Sequence, residues 1–436
     1  MEISELYKLY TKCSGLSTDS RNIAKGCMFF ALKGETFDGN DFAVKALETG
    51  ARYAIVDRST LGGVKAGRGE CILVENVLHT LQKMAAYHRS QFDIPVVGIT
   101  GTNGKTTTKE LVTAVLQRKY NVVATKGNFN NHIGVPLTLL RIDVRTEIAV
   151  VEMGASHPGE IAELTALVQP TCGLITNVGK AHILGFGSFE GVKRTKGELY
   201  NYLRQSGGTV FYNADNPHLC EMIRSNRGLV LKPYGVKHQG VEILSASEEN
   251  PYLRMQMPDG MRVVRTNLVG DYNADNVMAA LRVGSFFDVP EDDAVKAVES
   301  YCPSNDRSQM IRTSRNVLIV DTYNANPTSM EASINNFKNT GFANKTLILG
   351  DMLELGEESA PEHFRILSIA VSAADFIYLV GAEFAAAAAR LNCGKTRCFA
   401  DSASLAEALK DGQIENRTIL IKGSHGIHLE KLPEVL

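Results

Sequence analysis

Tryptophan is absent from the 436 residues, and aromatic residues make up only 7%. That shortage excludes no function class, but other absences do. No run approaches the ~20 apolar residues that a membrane helix needs, so membrane insertion is not expected. The opening segment, MEISELYKLYTKCSG, carries acids early and has no apolar stretch of the kind a secretory signal requires. Neither sign of charge dominates: Lys and Arg number 46, Asp and Glu 48, for a net charge of −2. This argues against a generally basic surface and a nucleic-acid partner. The cysteines, Cys13, Cys27, Cys71, Cys172, Cys220, Cys302, Cys393 and Cys398, form no CxxC pair and have no His partner at zinc spacing. Scattered single thiols fit a reducing cytoplasm.

What remains is an ordinary globular mix, 44% hydrophobic and 22% charged. At ~100–200 residues per domain, the length suggests about three domains. The fold class expected is α/β. The first part reads as a small mixed unit with strands at CMFFAL (27–32), YAIVD (53–57) and CILVE (71–75). A helix is predicted over 77–89, where Leu78, Leu81 and Ala85 share a face. Residues 91–95 read as a linker, because Pro95 holds Ile94 extended. From Val96 strands alternate with helices. VVGIT (96–100), IAVVEMG (148–154), CGLITNV (172–178) and TVFYNAD (209–215) are short, buried-type runs. That alternation predicts a doubly wound, largely parallel sheet. A hairpin is predicted around Pro258-Asp259-Gly260, with helices near 273–287 and 291–300. A further α/β unit starts near Arg307, with strands at 316–321, 346–351, 376–380 and 418–423. The Ala run at 385–389 reads as helix. The expected boundaries are 1–92, 93–306 and 307–436.

The strongest chemical signal is GITGTNGKTT (98–107), which follows a buried strand and opens a helix. Glycines let backbone N–H groups approach phosphate oxygens, and a helix N-terminus adds positive potential. Gly101, Thr102, Asn103, Gly104, Lys105, Thr106 and Thr107 are therefore candidate ATP contacts. Lys105 would reach the β/γ-phosphates and Thr106 would ligate Mg²⁺. The spacing departs from G-x-x-x-x-G-K-[ST], because Ile99 stands where that pattern has its first glycine. Glu152, at the end of a buried strand, fits a second metal contact. His182 lies just past another strand's carboxyl end, where open α/β sheets bind ligands. Lys196, beside Lys193 and Arg194, reads locally as part of a solvated basic face. The loop alone leaves open a phosphotransferase, an NTPase switch or a non-catalytic nucleotide-binding module.

Seven segments in order, GITGTNGKTT, GNFNNHIGVPLTLLR, VVEMGASHPGEI, NVGKAHILGFGS, VKRTKGELY, DTYNANPTSM and LGDMLELG, resemble the Mur ligase family. At the front, STDSRNIAKGCMFFALKGETFDGNDF (17–42) resembles that family's UDP-substrate domain. The resemblance covers essentially the whole chain. It implies a UDP-substrate domain, a central P-loop ATPase domain and a C-terminal Rossmann-like domain. The NNHIGVP stretch and the last two motifs point to the branch that joins D-alanyl-D-alanine to UDP-N-acetylmuramoyl-tripeptide, with ATP and Mg²⁺, in the cytoplasm and as a monomer. A ligase of the same family with a different amine, or a folylpolyglutamate-type ligase, is the nearest alternative. The implied reaction passes through an acyl phosphate.

By the same resemblance, Lys105, Glu152, His182 and Lys196 are catalytic. Thr106, Glu152 and His182 are metal ligands, and Lys196 is the family's carbamylated lysine. Asn273 and Asn276 match adenine-side asparagines, although helix capping also suits Asn. Arg307 matches a junction arginine and Asp321 an acid near the ribose. Asn130, Asn131, Asn324 and Asn326 match substrate-facing loops, with turn chemistry as the rival reading. Ser17, Asp19, Ser20, Arg21, Lys33, Gly34 and Asp38 match the nucleotide-recognition segment, where a planar Arg21 fork suits phosphate. Three places depart from the family pattern: Asn40 stands for a usual His, Asp306-Arg307 for Gly-Arg, and Ser424 to His428 for an SRxxxME-type segment. No catalytic role is assigned to His425.

Overall fold

The computed structural model describes residues 1–303, 307–410 and 414–436. The departure at Asp306 lies outside the described residues, as does that end of the 93–306 unit.

At the front, the three expected runs become the parallel strands Met28–Phe30, Tyr53–Val56 and Gly69–Leu73. Two strands not foreseen, Leu16–Ser17 and Lys65–Ala66, complete a five-stranded sheet at its edges. Each has only two residues, too short for any period to be read. The helix Val77–Arg89 spans the predicted range. Asn76 sets its start, its side chain accepting from the His79 N–H at 2.8 Å. Its buried face, with Val77, Leu81, Met84 and Ala85, joins the same core as Leu139, Ile161 and Leu164 of the central region.

The central sheet has six strands, all parallel, in the order Val230–Tyr234, Thr209–Asn213, Cys172–Ile175, Val96–Thr100, Ile148–Glu152 and Val122–Ala124. The three innermost are buried throughout, as apolar runs without alternation require. Helices Lys105–Leu116, Ala274–Phe286 and Glu291–Ser300 cover one face. Glu160–Val168 and Phe189–Ser206 cover the other. From Val96–Thr100 the chain first builds one side of the sheet, then crosses to the other at Cys172–Ile175. The crevice at that switch point is where such sheets bind ligands. The expected hairpin, Arg254–Gln256 and Val263–Arg265, gains a third antiparallel strand, Glu242–Leu244.

The C-terminal sheet is built around the four expected runs, now Val317–Asp321, Thr418–Lys422, Lys345–Gly350 and Phe376–Val380, all parallel. Gln309–Arg312 adds antiparallel at one edge and Thr396–Phe399 parallel at the other. The Ala run lies in the helix Ala382–Leu391.

Buried Arg89 ties the helix Val77–Arg89 to the linker and to the end of the helix Glu160–Val168. Arg89 donates to the carbonyls of Val168 (3.1 Å), Phe92 (2.6 Å), Ile94 (3.3 Å) and Gln169 (3.3 Å). It is only 6% exposed. Its planar fork satisfies four backbone acceptors at the linker that would otherwise be buried dry. Removing a partner that leaves such groups unmet costs about 1–3 kcal/mol each. Arg89→Met is therefore expected to lower the first thermal unfolding midpoint by several degrees, measured by calorimetry. An unchanged midpoint would mean that water replaces the guanidinium.

Candidate active site

The phosphate loop leaves the buried strand Val96–Thr100 and enters the helix Lys105–Leu116 through Gly104, whose φ is +76°. Its glycines are required by close approach. A Cβ on Gly101 would lie 2.0 Å from Thr176 Oγ1, and one on Gly104 2.6 Å from Asn276 Oδ1. The neighbouring strand end fixes the loop's shape. The Thr102 N–H donates to the Asn177 carbonyl (3.0 Å) and the Asn103 N–H to Asn177 Oδ1 (2.9 Å). Thr176 Oγ1 donates to the Asn103 carbonyl at 2.6 Å. Lys105 folds back so that Nζ donates to the carbonyls of Gly101 (2.8 Å) and Thr102 (2.9 Å). Burial pulls its amine down to about 8, with Glu152 opposing and Arg307 adding to the fall.

Glu152 has no exposed surface. Its Oε1 accepts from Thr106 Oγ1 (3.1 Å) and Asn130 Nδ2 (2.7 Å), while its Oε2 has no partner. A buried carboxylate oxygen left unmet costs free energy unless something joins it. An oxygen donor of this kind, next to a threonine hydroxyl, fits a hard divalent cation. Among the described residues no three His, Cys, Asp or Glu side chains converge as a metal group. The donor set therefore fits a cation held jointly with phosphate oxygens, the usual arrangement for Mg²⁺.

His182 sits in the left-handed region (φ +50°) and lines the same cavity. Its Nδ1 pairs with the Glu354 carboxylate, and burial holds the imidazole below its ordinary range against the opposing pull of Glu354. Lys196 is 2% exposed, which overturns the solvated-face reading of its segment. Lys193 is buried too, paired with Glu221 (2.8 Å) and Glu190 (3.2 Å), and of the three basic residues Arg194 alone is exposed. Among the described residues, Lys196 Nζ donates only to the Ala155 carbonyl (3.3 Å), and it lies 5.4 Å over the Phe186 ring. Burial, reinforced by Lys105, pushes its amine well below the usual lysine range.

Asn273 begins a helix but caps nothing with its side chain. It donates to the Val269 carbonyl (2.9 Å) and accepts from Asn276 Nδ2 (2.9 Å), while Asn276 Oδ1 accepts from Thr108 (3.0 Å). Both line the cavity, as does Arg307, whose guanidinium stacks 3.7 Å over Tyr323. Asp321 pairs with Lys422 at 2.6 Å. Asn326 caps the helix Pro327–Asn339 through Ser329, as the turn reading anticipated, and its Nδ2 also donates to Asn103 Oδ1 at 2.7 Å. Asn324 accepts from its own neighbour, the Ala325 N–H (2.8 Å). Asn131 accepts from the Ile133 and Gly134 N–H groups, holding a turn. Lys105, Glu152, His182, Asn130, Asn131, Asn273, Asn276, Arg307, Asp321 and Asn324 line one cavity of about 1090 Å³, whereas Gly101, Thr106, Lys196 and Asn326 stand behind its wall.

The front segment is not brought into that cavity, which Leu78, His79 and Gln82 line from this part of the chain. Arg21 grips Asp19 with two bonds of 2.9 Å and holds that carboxyl down to about 2. Ser17 Oγ donates to the Asp19 and Asn22 carbonyls, and Ser20 lies between the Asp19–Arg21 pair. Lys33 pairs with Asp57 (2.9 Å) and Asp38 with Arg58 (3.0 Å). The Gly34 N–H donates to the Phe37 carbonyl (2.9 Å). Asn40, one of the departures, is a buried brace: its Nδ2 donates to Asp38 (2.7 Å) and Asp57 (2.8 Å). The divergent C-terminal segment forms a short turn, His425–Ile427, with His425 stacked on Tyr323. Sequence reasoning missed Lys422 and Glu354. A lysine ending the buried run TILIK was a readable signal for the first; nothing local marked the second.

Comparison with known proteins agrees along the chain. Residues 12–89 match the "Mur ligase family, catalytic domain", 99–284 the "Mur ligase middle domain" and 306–425 the "Mur ligase, glutamate ligase domain". The chain is 35% identical to the UDP-N-acetylmuramoyl-tripeptide–D-alanyl-D-alanine ligase of Bacillus subtilis, over 97% of this chain and 93% of that protein. It is 34% identical to the ligase of that name from Escherichia coli, with the same coverage. The crystal structure of MurF from Acinetobacter baumannii superposes with a TM-score of 0.86 at 30% identity, covering 99% of this chain and 97% of that one. MurF from Thermotoga maritima in complex with ADP gives 0.83 at 28% identity, covering 98% and 97%. The α/β expectation with three Mur-type parts is thereby met.

The neutral amine is the form that reacts with electrophiles, so a lysine held at about 8 reacts at lower pH than ordinary lysines. Amine labelling of Lys105, followed by peptide mass spectrometry across a pH series, is expected to reach half its maximum near pH 8. A rise only alongside the surface lysines would mean that burial does not depress it.

Proposed function

The chain belongs to the Mur ligase family, and from that premise we propose that it is an ATP-dependent ligase of peptidoglycan precursor synthesis. It joins D-alanyl-D-alanine to UDP-N-acetylmuramoyl-tripeptide and gives the UDP-N-acetylmuramoyl-pentapeptide, ADP and phosphate. It works as a monomer in the cytoplasm. No helix among the described residues is long and apolar enough to cross a membrane, and none of the eight cysteines is paired. Residues 1–92 carry the UDP substrate, 93–306 the ATP and 307–436 close the site.

The observation that carries this reading is the shared cavity. The phosphate loop, the wholly buried Glu152 and the C-terminal Arg307 and Asp321 all open into it. The tripeptide's terminal carboxylate attacks the ATP γ-phosphorus, forming an acyl phosphate and releasing ADP. The dipeptide amine then attacks the acyl carbon, and phosphate leaves with the carboxylate's former oxygen. Both steps bring anions together, so fixed positive groups must meet the charge. Lys105 gives up its loop carbonyls for the β/γ-phosphates, and the loop's N–H groups cradle them. Asn273 and Asn276 lie on the adenine side and Arg307 and Asp321 toward the ribose. The segment from Ser17 to Asp38 receives the uridine diphosphate, where Arg21 would exchange Asp19 for phosphate oxygens. Asn130, Asn131, Asn324 and Asn326 border the sugar and peptide.

Thr106, Glu152 and His182 would hold Mg²⁺, which when bound supplies positive charge against the phosphates. Lys196 is the carbamylated lysine of this reading. Its free amine adds to carbon dioxide and loses one proton, turning a buried neutral amine into a buried anion. The strong downward push on that amine supports the step, because only the neutral form can add.

Phosphate release from ATP and Mg²⁺ is expected to require both UDP-muramoyl-tripeptide and D-alanyl-D-alanine. Both diaminopimelate and lysine tripeptides would be assayed, with the product identified by mass spectrometry. Release without the dipeptide would point to another amine or an NTPase. Lys105→Ala is expected to abolish turnover with the fold intact. Lys196→Ala should do nearly the same, and Lys196→Arg should not rescue it, since a guanidinium forms no carbamate. Near-normal turnover in Lys196→Ala would remove that residue from the mechanism.

A further inference from the structure

The segment carrying His182 is held by the C-terminal region as well as by its own, where the Gly179 N–H donates to Thr102 Oγ1 at 3.0 Å and Gly185 packs on the Ser156 carbonyl. The Lys180 N–H donates to Thr328 Oγ1 (3.2 Å), and Lys180 Nζ pairs with Glu362 at 2.7 Å. The Leu184 N–H donates to the Glu354 carbonyl at 3.5 Å. A Cβ on Gly356 would lie 3.3 Å from Leu184, so the turn around Glu354 presses on the same segment. His182 and Glu354 both adopt left-handed backbone, at φ +50° and +61°. For residues other than glycine such conformations cost of order 1–3 kcal/mol and persist where surroundings enforce them. Here two of them face each other, and what they produce is the pairing of His182 Nδ1 with the Glu354 carboxylate. Glu354 itself is largely exposed, 61% at its side chain.

We propose that Glu354 is the positioning residue of His182, supplied across the boundary between the central and C-terminal regions. A neutral imidazole has one N–H, and the hydrogen bond at one nitrogen decides which carries it. A carboxylate at Nδ1 places the proton there and leaves the Nε2 lone pair free in the cavity. A carboxylate partner of this kind also fixes the ring's orientation and raises its basicity as a ligand. The cation site is then finished only when the C-terminal region is docked, which ties its completeness to the arrangement that brings Arg307 and Asp321 into the cavity. This rests on the reading of His182 as a metal ligand.

The test separates the two. In full-length, metal-free protein with ¹⁵N-labelled histidine, imidazole spectra assigned with a His182→Gln variant are expected to show His182 protonated at Nδ1. Glu354→Ala should shift it toward the Nε2–H form, while Glu354→Gln, whose amide oxygen still accepts, should keep the wild-type form. In parallel, Mn²⁺ affinity in the presence of ADP, read by electron paramagnetic resonance, should fall about 10- to 100-fold in Glu354→Ala and less in Glu354→Gln. The same tautomer in wild type and Glu354→Ala would overturn the proposal, as would a shifted tautomer with unchanged Mn²⁺ affinity. Unchanged Mn²⁺ affinity in His182→Ala would instead overturn the ligand reading itself, whatever the tautomer shows.

Discussion

A carboxylate with no exposed surface governs the centre of this molecule. Glu152 ends a strand buried along its whole length and is itself buried at the wall of the cavity. Burying an ionised group is costly unless it is paired and hydrogen-bonded. Only neutral donors, Thr106 and Asn130, bond it, and they serve one oxygen. The backbone is pinned separately, the Glu152 N–H donating to Thr125 Oγ1 while the buried Lys109 donates to the Thr125 carbonyl (2.8 Å). The fold thus spends several side chains on holding a group whose second oxygen they leave open. Lys105, a cation of the same cavity, is turned onto loop carbonyls instead. Charges of both signs are kept apart with valences unfilled, which is the state a site must hold before an anionic ligand and its counter-ion arrive.

The geometry of the phosphate loop follows from the same crowding. Thr176 and Asn177 from the next strand and Asn276 from the covering helix stand against it closely enough that any Cβ at Gly101 or Gly104 would collide. The glycines are therefore dictated by neighbours far away in sequence as well as by room for a ligand. This explains how the loop tolerates Ile99 at the position where the common pattern has glycine. Ile99 lies inside the buried strand with its side chain in the core, so the turn begins only at Gly101.

Much of this was legible in the sequence because burial and caps leave local marks. The helix Val77–Arg89 was readable from its apolar face, and the inner strands from uninterrupted apolar runs. Edge strands were not: Thr396–Phe399 reads TRCF and is largely exposed or half-buried, so nothing distinguishes it from a loop. Gln309–Arg312 is likewise nowhere fully buried. Lys196 was misread locally because charge outweighed position. Val192, Leu199, Tyr200 and Leu203 define the buried face of its helix, and Lys196, four residues after Val192 and four before Tyr200, lies on it. The front segment shows the reverse. Its charged residues were recognisable by motif, but their partners, Asp57 and Arg58, come from the end of another strand and could not be inferred.

Beside Val269, which packs into the C-terminal core, the boundary between the central and C-terminal regions near the cavity includes several polar contacts, and these have a physical consequence. Exposed ion pairs such as Lys180 with Glu358 contribute only about 0–1 kcal/mol, and the asparagine contact between Asn103 and Asn326 exchanges readily for water. A hydrophobic seam of the same extent would lock the two regions together. A ligase must admit its substrates and then keep water from the reacting groups, which calls for an interface that forms and breaks at small cost. Asn326 is suited to this. Its Oδ1 caps the helix through the Ser329 N–H, while its Nδ2 reaches Asn103. Parting the regions breaks the bonds to Asn103, including the longer one from Asn103 Nδ2 to Oδ1 (3.4 Å), and leaves the cap in place, so the helix that borders the site keeps its start in either arrangement.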